Sequence, residues 1–245
     1  MPTRAVHVVV DAADPSRLAA FWADALGWVV AADEPNEVAI CPAGFEYPGP
    51  DALPLVFVPV KEPKTTKNRV HLDLSTTSAE HQAAEVERLL GLGAVRLDIG
   101  QGQAPWEVLA DLEGNEFCVL EPRPVYLDAR PVAAIVIDSA DPAATARFWS
   151  AAAGWAPHES DADFASLRAP GGTGPYLELL RVPAAKTVKN RLHVDVAPLP
   201  GGDVRAEADR LAELGAAPAD IGQSQVSWEV LADPEGNEFC VLTPR

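Results

Sequence analysis

Residues 106–120 read WEVLADLEGNEFCVL and residues 228–242 read WEVLADPEGNEFCVL, with Leu112 replaced by Pro234 as the only difference. Three more segments recur in the same order at nearly the same spacing, which is the signature of an internal duplication. DPSRLAAFWADALGW (14–28) matches DPAATARFWSAAAGW (141–155), KTTKNRVHLDL (64–74) matches KTVKNRLHVDV (186–196), and ERLLGLGA (87–94) matches DRLAELGA (209–216). The repeat predicts two homologous domains, residues 1–121 and 131–245. They are joined by a Pro-rich linker over residues 122–130, within EPRPVYLDARP.

Within each half the hydrophobic period changes in a regular order. AVHVVVD alternates as a strand does, which places Val6, Val8 and Val10 on one face and His7, Val9 and Asp11 on the other. Asp14 as N-cap and Pro15 at N1 then open a helix whose Leu18, Phe21, Trp22 and Ala25 form one stripe, and Gly27 stops it. Trp22 and its counterpart Trp149 are expected in the core. Short strands are expected near residues 36–41 and 54–60. A second strand-and-helix round begins at RVHLDLS, with its helix over Ser78–Leu90 and three closing strands. The LEGN and PEGN turns place Gly where a positive φ is required and join the last two strands as a hairpin. Each half is two β-α-β-β-β units. The expected class is α+β, with four tandem βαβββ modules forming curved, mostly antiparallel sheets around pockets.

Alternation also sorts the polar residues. His71 and Asp73 point away from the helix, as do His193 and Asp195 in the second copy, Glu178 in PYLELLR, and Cys118 in NEFCVL. Metal-capable side chains thus recur on the face opposite the helices.

Composition excludes other classes. A net charge of −17, with no basic run longer than KNR, gives nothing to hold a phosphate backbone or an anionic bilayer, so neither nucleic acid nor membrane is an expected partner. Three cysteines and no CxxC predict a reducing compartment without a zinc ribbon. MPTRAVHVVVDAADP lacks the apolar stretch of a signal peptide, and no 18-residue apolar run occurs, which predicts a cytoplasmic protein.

The fourfold unit, the D-P-x(5)-FW-x(4)-GW helix, the KNRxHxD strand and the EGNEFCVL finish together resemble the vicinal oxygen chelate superfamily. That group holds glyoxalase I, bleomycin-resistance proteins and extradiol dioxygenases, and the resemblance is to its glyoxalase-like subfamily. It implies a small-molecule pocket and one divalent metal held from the first, fourth, fifth and eighth strands. Carried over position by position, the first strand offers His7 and Ala134, the fourth Val56 and Glu178, the fifth His71 and His193, and the eighth Cys118 and Cys240. If sites form across the halves, one collects His7, His193 and Cys240, and the other Glu178, His71 and Cys118. If they form within a half, the sets are His7, His71, Cys118 and Glu178, His193, Cys240.

Such sets suit zinc or another borderline metal (Zn, Ni, Mn and Fe are the candidates), although thiolate suits Mg or Mn poorly. A metal-free site, with Cys118 and Cys240 as small buried fillers, is the other reading. An enzyme would be a lyase or isomerase acting on vicinal oxygens, with Glu178, His71 or His193 as its base. A metal-free protein would sequester a planar or cationic compound in the manner of bleomycin-resistance proteins. Trp106, Trp228, Asp73, Asp195 and Tyr176 are the expected ligand contacts, and Arg69 and Arg191 are expected to pair with the acidic turns near Asp111 and Asp233. The loop AGFEYPGPDALP is expected to cover one pocket. The fused halves already supply the pairing of a dimer, so the assembly is a monomer or a homodimer.

Overall fold

In the computed structural model, residues 3–47, 49, 51–129, 131–223 and 226–245 are described. Arg130 at the end of the expected linker, and Pro48 and Pro50 in the loop, lie outside them. Module one comprises β1 (Thr3–Ala12), α1 (Pro15–Leu26), β2 (Val29–Glu34), β3 (Glu37–Cys41) and β4 (Leu55–Pro59). Module two comprises β5 (Val70–Leu74), α2 (Ala79–Gly91), β6 (Val95–Arg96), β7 (Glu107–Ala110) and β8 (Glu116–Val119). The second half repeats them as β9 (Val132–Ser139), α3 (Pro142–Ala153), β10 (Ala156–Ser160), β11 (Phe164–Arg168) and β12 (Tyr176–Arg181), then β13 (Leu192–Pro198), α4 (Val204–Glu213), β14 (Ala217–Pro218), β15 (Glu229–Ala232) and β16 (Glu238–Val241).

The helices start where their caps dictate. Asp14 accepts the Arg17 amide and Asp141 that of Ala144, and Gly27 and Gly154 close α1 and α3 at φ 65° and 72°. Gly114 and Gly236, both at φ 83°, turn the final hairpins.

The modules do not pair within their own half. One eight-stranded sheet runs β14-β15-β16-β13-β1-β4-β3-β2, joining module one to module four, and the other runs β10-β11-β12-β9-β5-β8-β7-β6, joining module three to module two. The central seams, β1 with β13 and β5 with β9, are antiparallel. Valines and leucines facing the helices fuse into one core spanning both sheets, from Val8, Leu55 and Val194 to Leu72, Ile135 and Leu177. Trp22 and Trp149 are buried in it as expected, and so are Ala52 and Leu53 from the loop.

One side-chain assignment is corrected. The register of β1 on β13 shifts between Ala5 and His7, so Val6 is the extra residue of a bulge. It joins Ala197, Val230, Cys240 and Leu242 on the face away from the helices, whereas Val8 and Val10 stay in the core. Strict alternation misses this because a bulge places two neighbouring side chains on one side. Among the described residues, no helix is long and apolar enough to cross a membrane.

Candidate functional site

Each sheet turns one face from the shared core, and the sheet exchange decides which residues meet there. On the β1–β13 face, His7 lies opposite Asp195 and Val9 opposite His193. His7 Nε2 is 3.0 Å from Asp195 Oδ2, and His193 Nε2 is 3.4 Å from Asp195 Oδ1. The Cys240 amide donates to Asp195 Oδ1 at 2.8 Å, and its Sγ lies 3.9 Å from His193 Nε2. Among the described residues, the buried His193 Nδ1 has no hydrogen-bond partner. Ligand atoms of His193, Asp195 and Cys240 all lie within 4.8 Å of one another.

Burial sets the charge states. It lowers the His193 pKa, against the opposing pull of Asp195, and so favours neutral imidazole. For Asp195 burial pushes upward, but His193, His7 and the Cys240 amide outweigh it and hold the carboxyl below its usual value. Burial, then the Asp195 charge, pushes the Cys240 thiol up.

The β5–β9 face repeats the plan with different residues. Ala134 sits opposite Asp73, where His7 sits opposite Asp195. His71 Nε2 is 3.5 Å from Asp73 Oδ1, an oxygen that is buried and without a hydrogen-bond partner among the described residues. Burial first and Lys67 second lower the His71 pKa to about 3. Burial first and the neighbouring Glu178 charge second raise Asp73 to about 7. Burial, then Asp73, raises the Cys118 thiol. His71, Asp73 and Cys118 form the second group of donor atoms within 4.8 Å.

Glu178 stands apart from that group. It accepts a 2.7 Å hydrogen bond from the Tyr126 hydroxyl, and burial raises its pKa. Tyr126 packs edge-on to Tyr176 at 5.6 Å between ring centroids, and the Arg123 guanidinium lies 5.9 Å from both the Tyr126 and Trp106 rings. Trp106 is thus half-buried under Arg123, whereas Trp228 is exposed.

The residues therefore gather across the halves: His7 with His193 and Cys240 on one face, and His71 with Cys118 and Glu178 on the other. The two within-half sets fall on separate sheets. Sequence reasoning placed Asp73 and Asp195 among ligand contacts, and here they sit between the metal-capable donors. It missed Arg123 and Tyr126, which lie in the segment taken as a spacer. The apolar run Val125, Tyr126, Leu127 between prolines was the available signal.

A glyoxalase-like domain model matches residues 7–120 and again residues 134–242. The chain belongs to the glyoxalase-like domain family. This glyoxalase-like chain is similar throughout to glyoxalase I from Zea mays, at 13% identity and TM-score 0.61 over 98% of this chain and 92% of that one. The V278E mutant of that enzyme aligns at 14% identity and TM-score 0.66, with the same coverage. A putative dioxygenase from Bacillus subtilis subsp. subtilis str. 168 aligns at 14% identity and TM-score 0.61, over 99% of this chain and 85% of that one. At these identities the likeness is one of fold. No functionally curated protein matches the chain in sequence.

Proposed function

We propose that this is a small-molecule protein of glyoxalase type whose working site is the β1–β13 face, acting as a lyase or isomerase on a substrate with adjacent oxygens. The observation that carries the reading is that two imidazoles, His7 and His193, share the single buried carboxylate of Asp195, with the Cys240 thiol beside them. One nitrogen, one carboxylate oxygen and one sulfur within 4.8 Å fit a borderline divalent ion, zinc best, with a coordination position left for a ligand. His193, Asp195 and Cys240 would hold it, and once bound it would supply Lewis-acid polarisation of a substrate oxygen.

The remaining chemistry belongs to the chain. His7, whose side chain is 15% exposed against 4% for Asp195, is the histidine that meets a ligand. Its Nε2–H donates to Asp195, which leaves Nδ1 as the proton acceptor, and the carboxylate steadies the imidazolium that forms. His7 was expected as a metal ligand rather than a base; of the three expected bases, His193 is here a metal donor, and Glu178 and His71 belong to the β5–β9 face, where Glu178 is engaged by Tyr126.

One observation favours a metal-free reading, in which the cluster is a polar wall of a site for a planar or cationic compound. Asp195 already has three partners, and burial favours the protonated Cys240 thiol. Elemental analysis of untagged protein decides between the readings. About one zinc, nickel, manganese or iron per chain supports the first, as does a rise in melting temperature on zinc addition that Cys240→Ser diminishes. No metal and no thermal shift leaves the metal-free binder.

A further inference from the structure

The β5–β9 face is covered by the chain's own linker. Pro124–Tyr126 form a single 3-10 turn, and Tyr126 and Ala129 are buried among Val108, Cys118, Val136 and Tyr176 on that face. Their neighbours Val125 and Leu127 are 42% and 55% exposed, so the segment holds the sheet through the Tyr126 side chain and, at its far end, through Ser75 Oγ, which donates a long 3.4 Å hydrogen bond to the Ala129 carbonyl. The Tyr126 hydroxyl donates to Glu178 at 2.7 Å, its ring meets the Tyr176 ring edge-on, and Arg123 stands beside it. Tyr176 returns a long 3.4 Å hydrogen bond to the Val125 carbonyl. The linker's own backbone is held by three turn hydrogen bonds, at Tyr126, Leu127 and Ala129. Prolines at 122, 124 and 131 keep it from joining the sheet as a strand.

A phenol donating to a buried carboxylate, with an aromatic edge at its side, is how a free ligand would sit. Asp73 Oδ1, buried on the same face without a partner among the described residues, adds an acceptor that tyrosine leaves unused. A ligand with a second donor can therefore satisfy more of the site than Tyr126 does, which offsets the entropic advantage of the tethered group, whereas a single-donor phenol probes the Glu178 contact once Tyr126 is removed. On β4 the position equivalent to Glu178 is Val56, which offers a phenol no acceptor, so this device belongs to one face only.

We propose that the linker is an autoinhibitory strap: Tyr126 occupies the β5–β9 face in place of a planar, hydroxyl-bearing, phenol-like small molecule, and such a molecule displaces it by giving its O–H to Glu178. The proposal goes beyond the reading of the β1–β13 face and stands or falls separately from it.

The test uses the full chain, with p-cresol as probe and toluene as its hydroxyl-free match. In Tyr126→Ala, p-cresol raises the melting temperature more than in the parent protein, and its apparent affinity exceeds that of toluene roughly tenfold. Adding Glu178→Gln removes that preference. Equal p-cresol shifts in parent and variant, or no preference over toluene, would overturn the proposal. If Tyr126→Ala does not fold, hydrogen exchange in the parent protein decides. Amides at 126, 127 and 129 exchanging about tenfold or more faster than those of β9 show a strap that releases on its own, and exchange at the β9 rate refutes it.

Discussion

Arg191, in the second half, brings its guanidinium to 3.2 Å from Glu113 in the first. The same side chain donates to the backbone carbonyls of Glu62 and Asp11 at 2.7 and 2.8 Å. Glu113 in turn accepts the amides of Ala13 and Asp14, at the start of α1, at 2.8 and 2.9 Å. Arg69 and Glu235 repeat the contact from the opposite half at 3.5 Å. The arginine of each KNR motif thus reaches the EGN glutamate of the other half, while its asparagine bonds the EGN asparagine of its own half, Asn68 to Asn115 at 3.1 Å and Asn190 to Asn237 at 3.0 Å, so the recurring motifs tie strand to turn within a half and lock half to half.

Arg191→Ala therefore destabilises the protein by about 2–3 kcal/mol, because it orphans two carbonyls and takes the counter-charge from Glu113, which keeps its two amides. Arg191→Lys recovers only part of this, since one ammonium cannot span the same acceptors. Urea midpoints of the three proteins check both statements, and an Arg191→Ala midpoint equal to the parent's would refute the lock.

Much of this was legible in the sequence, for identifiable reasons. The repeat fixed the four modules, caps at Asp14 and Asp141 fixed the helix starts, and period-two alternation put Cys118, His193 and Glu178 on the correct face. The pairing of modules was not legible, because β1 has the same pattern whether its neighbour is β5 or β13. Val6 was misplaced because a bulge leaves no mark in a valine run. Tyr126 was passed over because a proline-rich segment looks like a spacer whether or not one of its side chains is buried. Arg69 and Arg191 do pair with the acidic turns around Asp233 and Asp111, through Glu235 and Glu113 and each across to the other half, while the two aspartates accept from Asn237, Asn115 and the core indoles of Trp149 and Trp22.

Asp73 makes stability pH-dependent with a definite sign. Its folded pKa, about 7, lies above its ordinary 3.8, so the folded state keeps a proton that the unfolded chain loses, and stability falls as pH rises from about 4 to about 7. His71, lowered from 6.5 to about 3, acts oppositely: stability is lost as pH falls below about 6.5. Asp73→Asn removes only the first effect. The variant gains about 1–3 kcal/mol over the parent at pH 8 and little at pH 4, measured by urea denaturation at the two pH values. An equal difference at both would show that Asp73 titrates normally.

Residues 1–121 expressed alone leave β1 without β13 and β5 without β9. Such edges do not stay bare, and the seam each one lacks is supplied by the homologous strand of a second copy. The expected product is a homodimer by sedimentation, with β1 of one copy paired to β5 of the other. A stable folded monomer would show that the cross-half seams are dispensable.

If the β1–β13 face takes zinc as proposed, its affinity carries its own signature. The Cys240 thiol is held protonated by burial and by Asp195, while burial keeps His193 neutral, so zinc must displace a proton from sulfur and from no other donor. Binding then releases about one proton per zinc, and apparent affinity rises about tenfold per pH unit between pH 6.5 and 8. Calorimetry in two buffers of different ionisation enthalpy counts the proton directly. Cys240→Ser binds zinc more weakly and releases none, whereas Cys118→Ser, on the other sheet, leaves the β1–β13 titration unchanged. Zinc uptake with no proton released would place the ion away from Cys240 and remove the thiol from the site.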